Sequence, residues 1–506
     1  MRSCLSGLGL FILLTSCSLH SPIGSKGNPP TPPTQDTTGI IEGLSIPENK
    51  IKSETGIITL ENGGQSLLSR LWLFDHAQKT IDIQYYSFAK DITGLIVAER
   101  VLLAADRGVK IRILIDDAAS KMYSHGVQVL DSHDNIEVRI YNAGLMLGRP
   151  DRRIMMIFKN YNRILRRMHN KTVTIDGKAS IMGGRNIADR YFDYDHYYNF
   201  RDRDVLLIGK TVKQITQSFD EFWNDSLTVV YTEISGAPHK KWYNDASRFD
   251  RIHKKAANTK KFSQHMREQV KEFPAYIKAA AKTGAFIWTD RIVFISDKPG
   301  KNEDRKNRKG GACNDSLMNL IRLAKESVDI QSPYFILTKE SKEVLTEAIQ
   351  RGVRIRLLTN SLGSTDNFEA FSGYQKDRDE VLKMGITIHE FKPDAKERFK
   401  LMIPEVQSKL NYKPTYGFHS KTLVIDKRIT IIGSYNFDPR SANYNSECIT
   451  VIRSKEMAEQ LLEFVEEEFL PENSWSVSLD HNPDSKASII KRIKVTIKKV
   501  IPKKLL

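Results

Sequence analysis

Apolar and polar positions follow two alternating periods along this chain, and the same series of periods occurs twice. From Leu67 to Thr80 the apolar residues have helical spacing, and the next run, Ile81 to Tyr86, alternates as a strand does. Leu317 to Ser327 and then Val328 to Gln331 repeat that order. Helical and strand patterns in alternation predict an α/β fold for each half of the chain.

Two further pairs of segments extend the repeat. Residues 107–115 match residues 351–358, and in both a helical stretch ends at a glycine and leads into a buried strand. Ile136 to Tyr141 matches Ile386 to Phe391 at nearly the same offset. We therefore predict the fold class α/β, with two duplicated domains that each contain a mixed sheet flanked by helices and that form one site at their interface.

The length of the chain fits two domains of ordinary size, each able to bury a core. The predicted organisation is a signal peptide at 1–16, a flexible tether at 17–50, a first domain at 51–235, an interdomain basic helical segment and connector at 236–300, a second domain at 301–475 and a basic amphipathic tail at 476–506. Residues 297–311 have the composition of a polar, solvated loop.

Each half carries one copy of the same short motif, HxKxxxxD. The two copies are His169, Lys171 and Asp176 in the first half, and His419, Lys421 and Asp426 in the second. A glycine-rich step and an asparagine follow each copy at matching distance, namely Gly184 and Asn186, then Ser434 and Asn436. A single His-x-Lys on a strand is usually a surface pair, but two copies in register indicate a duplicated functional unit.

Each motif has the pattern of a β-hairpin. A two-residue turn at Gly177-Lys178 would pair Lys171 with Gly184 and His169 with Asn186. A turn at Lys427-Arg428 would pair Lys421 with Ser434 and His419 with Asn436 in the same way. Because residues two apart on a strand share a face, each half should present an imidazole, an ammonium and an amide on one surface.

The motif aspartates have the opposite strand parity. Each lies about 16 Å further along the strand than the lysine, at ~3.3 Å per residue. Asp176 and Asp426 belong to the motif and to our candidate catalytic set, but we expect them to stabilise the hairpin and its packing rather than to contact a substrate.

Two such sets of side chains could bind one phosphodiester from both sides. A histidine can act as a nucleophile or as a general acid near neutral pH. Lysine and asparagine supply charge and donors for phosphoryl oxygens. Since this clamp is already cationic and no Cys/His cluster has metal-ligand spacing, we expect neither a metal nor a cofactor.

A nucleophilic histidine needs its second ring nitrogen bound to a carboxylate or a carbonyl. Asp202 and Glu447 each follow a motif at comparable distance and precede an apolar, strand-like run. They are our candidates for orienting the imidazoles, and Asp204, which has the strand parity of Asp202, is the alternative.

With these residues in place, the chain resembles the phospholipase D superfamily, whose hallmark is the duplicated HxKxxxxD motif. It is more similar to bacterial cardiolipin synthases, through residues 433–441 (Gly-Ser-Tyr-Asn-Phe-Asp-Pro-Arg-Ser) and through Ser332-Pro333-Tyr334-Phe335. The resemblance covers residues 50–475. It implies phosphatidyl transfer between phospholipids, with His169 as the nucleophile that becomes phosphohistidine and His419 as the acid and later the base. Spacing alone does not separate these roles, nor water from an alcohol as the second nucleophile.

The N-terminus has the composition of a targeting segment. Arg2 precedes a short apolar run from Leu8 to Leu14, and Leu14-Thr15-Ser16-Cys17 resembles a bacterial lipoprotein box. Cleavage before Cys17 would leave a lipid-modified cysteine, and Ser18 resembles an outer-membrane sorting signal. The alternative is an ordinary secretory peptide with an incidental cysteine.

The end of the chain is basic and periodic. From Lys486 to Leu506 lysines and arginine alternate with isoleucines and valines, and acidic residues are absent. This pattern is typical of an amphipathic helix that binds anionic lipid surfaces, and the alternative is a disordered basic tail.

A net charge of +16 indicates a polyanionic partner, either an anionic lipid or a nucleic acid. The predicted anchor and tail favour phospholipid substrates at an anionic membrane surface, with no nucleic acid. A phospholipase-D-type endonuclease is the runner-up, and a non-catalytic membrane-binding lipoprotein would be expected to have lost a motif residue. Four cysteines, of which Cys313 and Cys448 would remain after processing and lipidation, do not make a disulfide framework.

Overall fold

The chain is described here from a computed structural model, which covers residues 39–120, 124–143, 165–234, 246–256, 264–302, 310–401 and 414–506. These residues belong to one compact unit, Asp36–Leu506. The predicted signal peptide, Cys17 and most of the tether lie outside the described residues. No helix within the described ranges combines the length and the apolar composition needed to cross a bilayer.

The first half is built on a nine-stranded mixed sheet. Its strands in chain order are β1 (Thr55–Leu60), β2 (Thr80–Tyr85), β3 (Lys110–Asp116), β4 (Ile136–Tyr141), β5 (Thr172–Ile175), β6 (Ala179–Gly183), β8 (Asp204–Gly209), β9 (Thr228–Val230) and β10 (Ile287–Thr289). They are arranged in the order β10-β1-β8-β6-β5-β2-β3-β4-β9. Strands β2, β3 and β4 are parallel, and the other neighbours are antiparallel.

The second half repeats this sheet with eight strands. They are β11 (Ile292–Ser296), β12 (Ser327–Gln331), β13 (Arg354–Asn360), β14 (Thr387–Phe391), β16 (Thr422–Ile425), β17 (Ile429–Gly433), β18 (Cys448–Arg453) and β19 (Ser474–Val477). Their order, β11-β18-β17-β16-β12-β13-β14-β19, matches the first sheet strand for strand from β1 to β9. The predicted α/β duplication is therefore confirmed. A separate two-stranded sheet pairs β7 (Tyr198–Arg201) with β15 (Thr415–Phe418) across the two halves.

Helices cover both sheets. Those of the first half and the connector are α1 (Ile40–Leu44), α2 (Glu48–Ser53), α3 (Gly63–Asp75), α4 (Ile92–Asp106), α5 (Asp117–Ser120), α6 (Ser124–Asp131), α7 (Val212–Trp223), α8 (Ala246–Ala256) and α9 (Gln264–Lys282). Those of the second half are α10 (Ala312–Leu323), α11 (Lys339–Gln350), α12 (Phe368–Lys383), α13 (Arg398–Leu401), α14 (Pro439–Asn443), α15 (Lys455–Phe469) and α16 (Ile489–Lys498).

Local sequence signals explain where the repeated helices begin and end. Asp91 caps α4 by accepting a hydrogen bond from Gly94 N, and Thr338 caps α11 through a capping box. Each helix is followed by a glycine with positive φ, Gly108 at 95° and Gly352 at 87°, which L-residues rarely adopt. The chain then turns directly into β3 or β13.

Among the described residues, the core consists of one large apolar cluster on each sheet, a third between the sheets and a small fourth cluster in the first half around Phe219 and Trp223. The third cluster contains Met182 and Leu207 from the first half together with Val424 and Ile432 from the second. The halves are thus joined by a shared apolar interface, which fixes their relative position over the site.

The connector is part of both halves. Strand β10 forms the edge of the first sheet, and β11, which begins three residues later, forms the edge of the second. Helix α8 packs against α4, and α9 packs against α3. The segment predicted as an interdomain connector therefore completes the two sheets as well as linking them.

The predicted hairpin register is wrong by one residue in both halves. Ile175 pairs with Ala179, and Ile425 pairs with Ile429, so each hairpin has a three-residue loop rather than a two-residue turn. Asp176 and Asp426 stand first in these loops with positive φ, 53° and 52°. Their side chains bind a neighbouring loop, which takes them out of the strand pairing.

The C-terminal tail forms the predicted helix over a shorter range than expected. Helix α16 spans Ile489–Lys498 and packs against α12, with Val495 buried. The terminal Leu506 is also buried, against Ile336 and Gly373. The tail is thus anchored on the second half.

Candidate active site

Pairing between the halves places each motif histidine at the interface. Strand β15 runs parallel to β7, and His419 N donates to Arg201 O at 2.8 Å. In the other half Met168 forms a parallel bridge with Ser446, and His169 N donates to Ser446 O at 2.9 Å. Each histidine therefore follows a segment that pairs with the opposite half.

The same pairing crosses the carboxylates between the halves. His169 Nδ1 lies 2.8 Å from Glu447 Oε2, and His419 Nδ1 lies 2.6 Å from Asp202 Oδ2. Because an ionised carboxylate only accepts, Nδ1 of each neutral ring carries the proton and Nε2 carries the lone pair. The structure thus brings together the four residues that the sequence suggested, with each imidazole oriented by the other half.

Hydroxyl groups hold the Glu447 carboxylate on both oxygens. Ser434 Oγ donates to Oε2 at 2.6 Å and Ser441 Oγ donates to Oε1 at 2.7 Å. Glu447 N donates to Asp297 Oδ2 at 3.0 Å. Burial alone would raise the pKa of Glu447, but His169 and Lys171 lower it to about 2. The carboxylate is ionised at neutral pH.

Asp202 is held differently, and this difference explains why Gly184 stands where the second half has Ser434. Arg203 N donates to Asp202 Oδ1 at 2.8 Å. A Cβ on Gly184 would lie 2.2 Å from that oxygen, so no side chain fits there. Burial would raise the pKa of Asp202, yet His419 and Lys421 lower it to about 2.

The two lysines are buried beside the imidazoles. Lys171 Nζ donates to His169 O at 2.7 Å, and Lys421 Nζ donates to His419 O at 2.6 Å. Burial lowers the pKa of Lys171 to about 7, although Glu447 raises it, and Lys421 lies close enough to lower it further. Burial likewise lowers the pKa of Lys421 to about 8 against the effect of Asp202. The two ammonium groups therefore lie close enough to affect each other's charge.

Both imidazoles are neutral near pH 7. Burial lowers the pKa of His169, although Glu447 opposes this effect. Burial and then Lys421 lower the pKa of His419 to about 3. The rings differ in their surroundings, because Lys421 Nζ lies 2.9 Å from His419 Nδ1 and 3.2 Å from its Nε2, whereas His169 Nε2 has no hydrogen-bond partner among the described residues.

Aromatic rings form the walls of the site. Tyr86 meets the His169 ring edge-on at a centroid distance of 5.4 Å. Tyr191 and Phe200 lie 5.2 Å and 4.7 Å from the His419 ring. Such rings exclude water and restrict imidazole rotation. The sequence analysis did not find them, because they are distant in the chain and belong to no motif.

The two asparagines of the motifs have different surroundings. Asn186 Nδ2 donates to the Tyr191 hydroxyl at 3.0 Å, and its Oδ1 accepts from Ser87 N at 3.2 Å. Asn436 Oδ1 is buried and has no hydrogen-bond partner in the described part of the chain. Asn186 is thus engaged in holding the wall, whereas the Asn436 amide remains available to a ligand.

The motif aspartates lie at the far ends of their hairpins. Asp176 accepts hydrogen bonds from the backbone N–H groups of Gln78, Lys79 and Thr80. Asp426 accepts from those of Lys325, Glu326 and Ser327. Their inclusion in the candidate catalytic set is therefore corrected, in line with their strand parity, and both are structural residues.

Two other expectations also change. Asp204, the alternative orienting residue, is bound to Arg70 at 2.9 Å and to Ser66 at 2.6 Å, away from either histidine. Asp297, predicted to lie in a solvated loop, is buried. Its carboxylate accepts hydrogen bonds from Cys313 N and Glu447 N and pairs with Lys301. The start of that loop supports Glu447.

Two buried arginines flank Asp202. Arg201 pairs with Glu468 at 2.7 Å and with Glu61, and Arg203 pairs with Glu61 at 2.7 Å. A charge-compensated network therefore fixes the segment that carries Asp202. The alternation of arginine and aspartate from 201 to 204 was the only sequence signal for it.

Within the described ranges, no three His, Cys, Asp or Glu side chains converge in a way that could hold a metal ion. Cys313 and Cys448 are both buried and free. Cys313 Sγ lies 3.2 Å from Glu447 O, which it can donate to.

Two copies of one α/β fold that bring two His-x-Lys motifs to a common site define an enzyme of the phospholipase D superfamily. The family described as "Cardiolipin synthase, PLD-like domain" matches residues 71–223 and 317–469, which together make up more than half of the chain. The chain belongs to this family.

Relatives cover nearly the whole chain. Cardiolipin synthase C of Escherichia coli strain K12 is 30% identical over 84% of this chain and 87% of its own length. An uncharacterized protein of Helicobacter pylori strain J99 is 31% identical over 86% of this chain and 83% of its own. The crystal structure of phosphatidylserine synthase from Haemophilus influenzae Rd KW20 has a TM-score of 0.56 at 12% identity, over 92% of this chain and 100% of that one. This last likeness concerns the fold alone.

Proposed function

We propose that this enzyme transfers a phosphatidyl group from phosphatidylglycerol to a second phospholipid, forming cardiolipin through a phosphohistidine and without a metal. The observation that carries the proposal is the crossed pairing of His169 with Glu447 and of His419 with Asp202. This pairing gives two imidazoles, each with its Nε2 lone pair directed away from its carboxylate. Such a pair can act on one phosphorus atom from opposite sides.

In the first step, His169 Nε2 attacks phosphorus and a P–N bond forms. The bond between phosphorus and the oxygen of the headgroup glycerol breaks. His419 gives its Nε2 proton to the departing oxygen. The surroundings of His419 keep its pKa low, but a bound phosphodiester adds a negative charge that favours the imidazolium.

In the second step, His419 takes the proton from the hydroxyl of a second lipid. That oxygen attacks phosphorus, and the P–N bond to His169 breaks. If water were the acceptor, the product would be phosphatidic acid, and the enzyme would be a hydrolase.

The different surroundings of the two rings support this division of roles. His169 is the more exposed ring, at 12% against 7% for His419, and its Nε2 is unengaged by any described residue. His419 Nε2 has the Lys421 ammonium beside it. A nucleophile needs a free lone pair, whereas an acid–base group tolerates a charged neighbour that tunes its pKa.

Lys171, Lys421 and Asn436 would stabilise the charge on the phosphoryl oxygens. Both ammonium groups are buried, where an interaction with an anion is stronger than in water. Asn436 would donate from Nδ2 to a phosphoryl oxygen, and its Oδ1, which has no partner among the described residues, would lose no bond when the amide turns.

Trapping the phosphoenzyme tests the mechanism. A phosphatidyl ester with a nitrophenol leaving group and labelled phosphorus should label the wild-type protein in rapid-quench experiments. His169→Ala should prevent labelling. His419→Ala should accumulate label, because departure of a good leaving group needs no acid, whereas cleavage of the P–N bond by an acceptor hydroxyl still needs a base to take the proton of that hydroxyl. Label that persists in His169→Ala would overturn the assignment, and His481→Ala, at an exposed histidine, is the control.

The substrate class is tested separately. Purified protein is offered labelled phosphatidylglycerol vesicles and single-stranded DNA. We expect conversion of the lipid and intact DNA. Cleaved DNA with unchanged lipid would establish the alternative, a phospholipase-D-type endonuclease.

We also propose that the protein is a lipoprotein, modified at Cys17 and held at the periplasmic face of the outer membrane of a Gram-negative bacterium. Cys17 lies outside the described residues, so the support is the sequence around it. Metabolic labelling with radioactive palmitate should mark the protein, and Cys17→Ser should abolish the label. Membrane fractionation then locates the protein.

Helix α16 supports an encounter with an anionic membrane surface. Its five outward-facing apolar residues, between 55% and 84% exposed, form one stripe, namely Ile489, Ile490, Ile493, Ile497 and Val500 just beyond its end. Arg492 and Lys499 flank the stripe on one side and Lys494 on the other. Opposite the stripe, Val495 is buried and Lys498 pairs with Glu369. The helix thus docks on the protein by one side and offers the other to lipid.

Point substitutions test this surface without removing the buried Val495 and Leu506. Ile493→Glu should weaken binding to vesicles that contain phosphatidylglycerol, most clearly at low salt. Leu323→Glu changes charge equally at an exposed leucine outside the tail and should bind as the wild type does. Equal binding of both variants would remove the support that α16 gives.

A further inference from the structure

A cavity of about 170 Å³ lies inside the first half, between its sheet and helices α4, α6 and α8. Its walls are largely apolar, and the larger side chains that line it are Phe88, Leu95, Ile113, Ile115, Leu130 and Val138. An apolar cavity of roughly 150 Å³ in another protein stays dry and binds benzene. The space here is therefore large enough for several methylene groups.

The equivalent position of the second half is filled by the chain itself. Ala89 N donates to Ile187 O, and Ile336 N donates to Phe437 O, so Ala89 and Ile336 occupy equivalent positions. Where Ala89 lines the cavity, Ile336 and Leu506 pack together over Gly373. An apolar occupant is thus built into one half, whereas no side chain in the described part of the other half fills the space.

The cavity adjoins the active site through one short segment. The ring of Tyr86 contacts that of His169, Ser87 N donates to Asn186, and the next two residues, Phe88 and Ala89, line the cavity. A molecule that reached from the site into the cavity would pass along this segment.

The cationic side chains at the rim favour an anionic molecule. Lys90, Arg251 and Lys255 line the cavity and are exposed, against one partly buried acid, Asp91. Apolar walls with a cationic rim match a lipid whose headgroup is negative and whose tail is hydrocarbon.

We infer that this cavity receives the end of one acyl chain of an anionic phospholipid. The identity of the lipid rests on the proposed function, but the binding of the chain does not. Each methylene that enters the cavity from water should improve affinity by about four-fold.

The experiment measures binding directly, in the His169→Ala background so that no turnover occurs. Calorimetric titration with short-chain phosphatidylglycerols that are monomeric in water gives affinity against chain length. We expect affinity to rise with each added methylene until the cavity is filled. Ala89→Ile, which introduces the residue of the second half, should flatten that rise and weaken the longest ligand by roughly 15- to 60-fold, equivalent to two or three methylenes.

Matched variants control the result. Ala279→Ile makes the same change at an exposed position of α9 and should leave the chain-length profile unchanged. Ala98→Leu fills the same cavity from α4, in case Ala89→Ile does not fold, and should act as Ala89→Ile does. Arg251→Gln with Lys255→Gln should weaken phosphatidylglycerol more than phosphatidylcholine of equal chain length.

The outcomes separate this inference from the proposed reaction. Chain-length profiles that are the same in wild type, Ala89→Ile and Ala98→Leu would overturn the acyl-chain site even if the enzyme makes cardiolipin. Profiles that flatten in both variants would support it even if the enzyme proved to act on another phosphodiester.

Discussion

At the scale of single residues, the reactivity of each histidine depends on where its ring proton lies. Each carboxylate keeps that proton on Nδ1 by accepting a hydrogen bond from it. The hydroxyls of Ser434 and Ser441 each donate a hydrogen bond to the Glu447 carboxylate, and His169 Nδ1 donates a further one. Glutamine in place of Glu447 has nearly the same shape, but its amide group can donate to Nδ1 and favour the wrong tautomer.

We therefore expect Glu447→Gln to lower kcat by roughly 10²–10⁴-fold with little change in fold. Steady-state transfer assays measure the rate, and circular dichroism checks the fold. Glu472→Gln, at an exposed glutamate, should keep wild-type activity. A fully active Glu447→Gln would show that tautomer control at His169 is unimportant.

A pH prediction follows from the buried lysines. Burial lowers the pKa of Lys171 to about 7 and that of Lys421 to about 8, so in the free enzyme both lose their positive charge as pH rises through this range. Because the charged forms are needed to hold the phosphodiester, kcat/KM should fall on the alkaline side between about pH 7 and pH 8. The profile of kcat should fall later, since a bound anion raises both pKa values.

Comparing kcat/KM with kcat across pH checks this prediction. Lys421→Arg keeps its charge over the whole range and should remove part of the alkaline fall, though at lower activity because the guanidinium is larger. An alkaline limb that stays flat to pH 10 in the wild type would contradict lowered lysine pKa values.

The residues that sequence reasoning found and those it missed have a physical explanation. Spacing on a strand specifies a face, and therefore His169 and Lys171 could be grouped from the sequence. Asp202 and Glu447 could be selected from the sequence as the carboxylates that orient the histidines. Each carboxylate orients the histidine of the opposite half, and this follows from the pairing of β7 with β15 and of Met168 with Ser446. Such contacts between distant segments leave no local pattern.

At the scale of elements, the hairpins show what local pattern predicts and what it does not. Strands β5 and β6 were predicted to within a residue, since β-branched and apolar residues mark them. Their register was not, because Asp176 adopts positive φ and turns its carboxylate onto three backbone N–H groups of a segment nearly one hundred residues away. A turn residue chosen for a distant partner cannot be recognised from neighbouring residues.

Removing this carboxylate should therefore cost stability without changing the chemistry. We expect Asp176→Ala and Asp426→Ala each to lower the free energy of unfolding by about 1 kcal/mol, because a group of backbone N–H donors at largely exposed positions loses a charged acceptor. Activity per folded molecule should be unchanged at a temperature well below unfolding. Urea denaturation measures the first effect, and Asp394→Ala, at an exposed aspartate, is the control. A loss of kcat with unchanged stability would mean that these aspartates do take part in catalysis.

The cross-half strand pair β7–β15 provides a second prediction at this scale. A Cβ on Gly417 would lie 1.8 Å from the Tyr198 hydroxyl, so Gly417→Ala should push β15 away from β7. Since His419 follows β15 directly, we expect a loss of activity of at least about ten-fold, as small misplacements of a catalytic group commonly cause. Ala275→Ser changes an exposed small residue of α9 and should be neutral. Kinetics of both variants, with melting temperatures, distinguish misalignment from unfolding.

At the scale of the whole molecule, the halves form a single unit of function. The apolar cluster between the sheets contains residues from both, and the connector adds one edge strand to each sheet. The duplication was predictable because the strand patterns of the first half recur along the second. All eight strands of the second sheet have a counterpart in the first. The shared interface was not, because apolar residues on both faces of a buried strand do not say which neighbour covers each face.

Separating the halves should abolish the reaction. We expect residues 36–290 and 291–506, produced as two polypeptides, to be inactive alone, since each histidine then lacks its carboxylate. Together they should recover measurable transfer, because strand pairing and the apolar cluster can reassemble. Activity in either fragment alone would contradict the crossed arrangement, and the intact chain assayed at equal concentration sets the reference.

The exchange of Asp202 and Glu447 between halves also bears on ancestry. A gene with one copy of this fold would encode a histidine without its acceptor, unless two identical polypeptides met about a two-fold axis and completed each other. Joining two such genes would preserve that mutual dependence in one chain. The two copies would then no longer have to be identical in sequence. Gly184 and Ser434, which occupy corresponding positions in the two copies, differ as such a release would allow.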